Sequence, residues 1–175
     1  MQLCHTGTSS LVRRGMLIVL ICCGFAGAES LLAQEHVDLS MLFAESVPLN
    51  DSGAGSFTVS GTLGGVEVEF LLDTGASMVT VSASLFKQIL RRSDAAVKVR
   101  RVGARLASGK VEVLDVYLVK NFSLGSKCDL GPVEVAVLKR GGRNLLGMNA
   151  LQLAAPFVIS TAPPSLGLSQ CGDSL

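Results

Sequence analysis

Asp73 is the residue of this chain best placed to do chemistry. It lies in the run Phe70-Leu71-Leu72-Asp73-Thr74-Gly75-Ala76-Ser77-Met78-Val79-Thr80-Val81, which puts one carboxylate on a tight turn between two apolar, strand-like segments. A carboxylate flanked by core-forming residues is partly desolvated, and burying charge is unfavourable unless hydrogen bonds or a shared proton compensate. Alone, Asp-x-Gly between strands is an ordinary turn in which the Asp side chain bonds its own backbone. A second apolar-apolar-Gly element, Leu145-Leu146-Gly147, lies downstream and makes the combination specific. The chemistry open to such a carboxylate is general acid–base catalysis.

Competing mechanisms lack parts. Beyond residue 28 the only histidine is His36, which precedes the folded region, so neither a serine nor a cysteine nucleophile has a base. Ser77, in Gly75-Ala76-Ser77-Met78-Val79, lacks the second glycine of a nucleophile elbow. Gly103 to Lys110 is one residue too long for a phosphate loop, and Val111 stands where Ser or Thr is required. Asn121-Phe122-Ser123 matches a glycosylation sequon, a pattern common by chance. Of the five cysteines, Cys4, Cys22 and Cys23 fall in the first 28 residues, and Cys128 and Cys171 remain. In an oxidising compartment two leftover cysteines of a small domain commonly pair, so a Cys128–Cys171 disulfide is expected. With no His nearby, metal binding is the poorer reading, and no metal or cofactor is expected.

The elements that must position Asp73 follow from periodicity. From Ser56 onward Phe57, Val59, Val66, Val68 and Phe70 alternate with Thr58, Ser60, Glu67 and Glu69 around Gly64-Gly65, a hairpin leading into Asp73. Met78 to Val81 continues as strand. Ser82 or Ser84 can then cap a short helix carrying Leu85, Phe86, Ile89 and Leu90, with Arg91 and Arg92 favourably placed at its C-terminal end. Strands are predicted over Val97–Leu106 and Val111–Val119 around the turn Ala107-Ser108-Gly109-Lys110, and over Val133–Leu138. Leu145–Leu153 reads as a short helix, and Phe157–Ile159 and Leu166–Ser169 as a closing strand pair around Ala162-Pro163-Pro164. Many short strands, glycine-rich turns and little helix define an all-β, barrel-like domain.

With these residues in place, the chain resembles the retropepsin-like aspartic proteases, particularly the single-domain bacterial type with an N-terminal membrane-targeting segment, over Ser56 to Leu168. The resemblance implies a closed β-barrel with one short C-terminal helix, functional as a homodimer. Only one Asp-Thr-Gly is present. The resemblance implies two carboxylates sharing one proton, one activating water while the other protonates the scissile carbonyl oxygen. The dyad must therefore come from Asp73 of two subunits meeting at a two-fold axis, where a residue automatically faces its own copy. Two carboxylates so close cannot both ionise, so activity is expected at mildly acidic pH. The resemblance further implies that Thr74 hydrogen-bonds across the dimer and that Gly75 and Ala76 support the active-site loop. Leu145-Leu146-Gly147 would pack beneath it, and Ala107-Ser108-Gly109-Lys110 would form a flap over an extended peptide bound by strand-like hydrogen bonds. Viral members carry an acidic residue where Ser77 stands and an arginine where Met148 stands. Both members of that ion pair are absent here, so dimer stabilisation and the contacts near Ser77 must differ. The alternative function is a non-catalytic peptide-binding module on the same barrel.

The remainder of the chain bounds location and partners. At 175 residues there is room for one compact core. Arg13-Arg14, the apolar stretch Met16 to Phe25 and Ala26-Gly27-Ala28 read as a secretory signal over residues 1–28, with an uncleaved N-terminal anchor as the alternative. The domain is thus expected outside the cytoplasm, periplasmic or tethered to a membrane. Residues 29–55, ending in a Pro48, Asn50, Asp51, Ser52, Gly53, Gly55 cluster, read as a spacer, 56–171 as the protease domain and 172–175 as a tail. Losing the leader removes two of the 15 basic residues and none of the 14 acidic ones, so the domain is nearly neutral. The one basic concentration, from Arg91 to Lys110, has no interleaved aromatics to stack on bases. It reads as a solvated strand face, not a nucleic-acid site.

Overall fold

The computed structural model describes residues 41–92, 96–105, 108–139 and 141–172. The leader, the first part of the spacer, Leu106 and Ala107 of the hairpin turn, and Asp173–Leu175 lie outside the described residues. In chain order the elements are β1 (Glu45–Pro48), β2 (Asn50–Gly53), β3 (Ser56–Leu63), β4 (Val66–Leu72), β5 (Val79–Ser82), α1 (Ala83–Arg92), β6 (Ala96–Arg105), β7 (Val111–Leu124), β8 (Cys128–Leu138), β9 (Leu145–Leu146), α2 (Met148–Leu153), β10 (Phe157–Thr161) and β11 (Pro164–Leu168).

The period-two alternation of residues 56–72 becomes the β3–β4 hairpin, in register from Thr58↔Leu71 to Leu63↔Val66. Val59, Val66, Val68 and Phe70 point into the core, while Glu67 and Glu69 face solvent. Eight strands follow in the order β2-β3-β4-β9-β5-β8-β7-β6, and β3 also pairs with β7 at Gly61↔Leu124, Thr62↔Ser123 and Leu63↔Phe122. That second pairing joins the sheet back on itself into a ring of strands. Gly61 permits it, because a Cβ there would lie 2.5 Å from the Ser123 carbonyl oxygen. Inside the ring Phe70 and Phe122 meet edge to face, their centroids 5.9 Å apart, and both are fully buried. Such a pair adds to the gain from area burial alone.

The helix after β5 forms as its pattern predicts. Ser82 Oγ accepts the Leu85 amide at 3.3 Å, and Leu85, Phe86 and Ile89 are buried, with Phe86 packed on Tyr117. Leu90, expected on the same face, is 50% exposed. Among the described residues the domain thus carries α1 in addition to the short C-terminal helix that the resemblance implies.

Two further expectations are corrected. The second half of the spacer is part of the fold: β1 pairs with β11, β2 pairs with β3, and Val47 and Leu49 are buried. Alternate apolar residues at 47 and 49 were the signal, masked by the Pro, Asn and Gly around them. Leu145-Leu146 is a strand and not a helix start, and the helix begins only after Gly147. A three-stranded sheet, β1-β11-β10, completes the domain. Cys128 and Cys171 form a disulfide with Cα atoms 4.7 Å apart, beside a bridge between Asp129 and Gly172. It ties the C-terminal end to the start of β8.

Candidate active site

Asp73 follows directly on β4, and β5 begins six residues later. The two strands are not neighbours. The two-residue strand β9 stands between them, parallel to β4 through Leu71↔Leu145 and Leu72↔Leu146, and antiparallel to β5 through Thr80↔Leu145. The Asp73 amide donates to the Leu146 carbonyl at 3.1 Å, and the Leu71 amide to the Asn144 carbonyl at 2.8 Å. Leu146 is fully buried beneath the turn. The apolar-apolar-Gly element thus wedges open the two strands that carry the turn.

The turn closes on itself. Ala76 N donates to the Asp73 carbonyl at 3.1 Å, while Asp73 Oδ1 accepts from the Gly75 amide at 2.9 Å and the Ala76 amide at 3.2 Å. These bonds orient a half-buried carboxylate and leave Oδ2 without a protein hydrogen bond among the described residues. A Cβ at Gly75 would sit 3.2 Å from Oδ1, so glycine keeps the carboxylate uncrowded. Thr74 is exposed, pointing away from the single-chain core.

Behind the turn, α2 presents its first amides to the segment after Asp73: Met148 N donates to the Ala76 carbonyl at 2.8 Å and Asn149 N to the Ser77 carbonyl at 3.2 Å. Helix-start amides have no partner within their own helix, so loop carbonyls satisfy them here. Gly147 makes the approach feasible. A Cβ there would lie 2.3 Å from the Met78 carbonyl oxygen and 2.8 Å from its nitrogen.

Two asparagines that sequence reasoning missed complete the support. Asn149 Oδ1 accepts the Val79 amide at 2.8 Å and its Nδ2 donates to the Glu134 carbonyl at 2.8 Å. Asn144 Oδ1 accepts the Ser82 amide at 3.1 Å. Their positions flanking Leu145-Leu146-Gly147 were the available signal. Thr80 Oγ1, on β5 beside β9, is buried with no protein partner among the described residues.

The Ser108-Gly109-Lys110 turn lies exposed at the end of the long β6–β7 hairpin. The hairpin meets the segment after Asp73 through a small second core: Leu114, Val116 and Ala136 are buried under Met78, Val102, Ala104 and Leu138. Two ion pairs flank these strands, Lys98–Asp115 at 2.8 Å between β6 and β7 and Arg100–Glu134 between β6 and β8. The hydrogen bond from Lys98, aided by the charges of Lys98, Lys139 and Arg101 and opposed by partial burial, holds Asp115 below the ordinary carboxylate value. Among the described residues no His, Cys, Asp and Glu cluster that could hold a metal forms, and no helix is long and apolar enough to cross a membrane.

A ring of strands that carries Asp-Thr-Gly on a turn, wedged apart by Leu-Leu-Gly, defines the retropepsin-like aspartic proteases. The family model for aspartyl proteases matches residues 59–150, and the chain belongs to that family. The crystal structure of a retropepsin-like aspartic protease from Rickettsia conorii shares the fold, with a TM-score of 0.51 and 18% sequence identity over 73% of this chain and 92% of that one. No curated protein matches the chain by sequence.

Proposed function

We propose that the protein is an aspartic endopeptidase acting as a homodimer, with Asp73 of two copies forming the catalytic pair. The observation that carries this reading is the Asp73 turn: one oriented, half-buried carboxylate with a free oxygen, in a chain with a single Asp-Thr-Gly. One carboxylate binds the proton and the other is ionised. The ionised one takes a proton from water as the water oxygen attacks the scissile carbonyl carbon, and the protonated one gives its proton to the carbonyl oxygen. Collapse of the resulting diol breaks the carbon–nitrogen bond, the nitrogen leaving with a proton from the pair. Thr74, which is exposed in the single chain, would bond its counterpart across the axis, and Ser108-Gly109-Lys110 would close over the peptide.

The leader supports export, to the periplasm or to a membrane through an uncleaved anchor. The test is peptide-library cleavage across acidic to neutral pH, alongside sedimentation. Cleavage by a dimer, lost in Asp73→Asn, is the expected outcome. A strictly monomeric protein, or a dimer that binds peptides without cutting them, would overturn the reading; the latter outcome identifies a binding module.

A further inference from the structure

The Arg100–Glu134 pair links places that the sheet order keeps apart. Arg100 is on the edge strand β6, opposite Val116 of β7, which in turn lies opposite Ala136 of β8. Its guanidinium reaches over β7 to Glu134, two residues from Ala136 on the same face of β8, engaging both carboxylate oxygens, with Nε 3.4 Å from Oε1. Glu134 is also the residue whose carbonyl receives Asn149 Nδ2, while Asn149 Oδ1 holds the Val79 amide. Val79 pairs with Val135 at the start of the parallel β5–β8 ladder. The Asn149 amide therefore bridges an N–H of one strand and a C=O of its neighbour at the mouth of that ladder. The hairpin that carries the 108–110 turn is laddered to the same strand end through Tyr117↔Val135 and Leu118↔Glu134, and the ion pair ties its outer strand β6 there as well.

We propose that Arg100 is a positioning residue for this site: it sets the β6–β7 hairpin relative to the Asp73 turn through Glu134 and Asn149. Met78, packed under Val102 and Ala104 and bracketed by the Asn149 bonds to Ser77 and Val79, is the second point of that junction. Because both side chains are substantially exposed, 49% and 35%, the effect is graded and salt-sensitive.

The proposal rests on the peptidase reading for its kinetic consequence, and the experiment separates the two. Amide exchange and peptide hydrolysis are measured on the parent, Arg100→Gln, Glu134→Arg and the reversed pair Arg100→Glu with Glu134→Arg. Exchange of the Val79 amide and of the hairpin ladder is expected to accelerate about three- to fivefold in both single variants and to return towards the parent in the reversed pair. KM is expected to rise by a similar factor, about three- to fivefold, with kcat little changed, since the hairpin governs substrate retention and not the reacting atoms. Unchanged Val79 exchange in Arg100→Gln, or no recovery in the reversed pair, overturns the proposal whether or not the protein cuts peptides. Coupled exchange in a protein that cuts no peptide would sustain the positioning role and sink the peptidase reading.

Discussion

The segment around Asp73 and the hairpin ending at Ser108-Gly109-Lys110 are held by opposite means. The first is locked by backbone hydrogen bonds, two asparagine amides and a glycine pressed against Met78, on a floor of fully buried Phe70, Val79 and Leu146. The second is a long ribbon whose β6 residues are mostly exposed. Its β7 strand is laddered to β8 from Asp115 onward, but the part nearer the turn rests only on a small apolar cluster, and the outer strand reaches β8 through one partly exposed ion pair, Arg100–Glu134. Part-buried hydrogen bonds backed by close packing resist displacement, whereas exposed ion pairs contribute little and yield readily. In the proposed peptidase, a locked turn together with a hairpin whose tip is exposed would fix a carboxylate yet admit a chain.

The largest test of this contrast compares two glycines. Gly147→Ala drives a Cβ into the Met78 backbone and is expected to destabilise by about 3 kcal/mol or more, lowering Tm by about 10 °C. Gly109→Ala, at φ +81° with nothing within 4 Å, meets only backbone strain of about 1 kcal/mol. Equal losses by thermal denaturation would erase the distinction. Next, Asn149→Ala leaves the Val79 N–H and Glu134 C=O unpaired and is expected to cost about 2 kcal/mol in urea unfolding, with a fall in any peptidase rate. A loss below about 0.5 kcal/mol would show that the amide bridge is not a clamp.

A smaller effect of opposite sign is expected at Thr80. Thr80→Val removes an unpartnered buried hydroxyl without changing shape and should leave stability unchanged or raise it by up to about 1 kcal/mol. A clear fall in Tm would show that the hydroxyl has a partner.

The smallest effect belongs to the hairpin. The folded value of Asp115 lies below the ordinary 3.8, so its pairing with Lys98 stabilises at pH above that value, and the contribution drains away as pH falls through the lower folded value. Asp115→Asn should therefore lower Tm slightly near neutral pH and not at all in strong acid. A gap that widened on acidification would reverse the sign.

What was legible follows the same division. Alternation from Phe57 to Phe70, the Ser82-capped helix and the paired cysteines are local or compositional signals, and the structure has the hairpin, the helix and the disulfide. Leu145-Leu146 was misjudged because two leucines before a helix carry no period. Their strand character comes entirely from lying between β4 and β5. Val47 and Leu49 were missed for a related reason: β1 acquires its partner only when β11, more than a hundred residues later, returns alongside it.

The order of amino acids by itself determined the turn that presents Asp73, the alternating strands that carry it and the single copy of the motif, because these depend on neighbours within a few residues. Only the tertiary structure decided what grips that turn. Asn149 meets Val79 across 70 residues and Asn144 meets Ser82 across 62. A side-chain amide that replaces a strand partner leaves no periodic trace along the chain, and its role exists only once closure of the ring brings the two segments together.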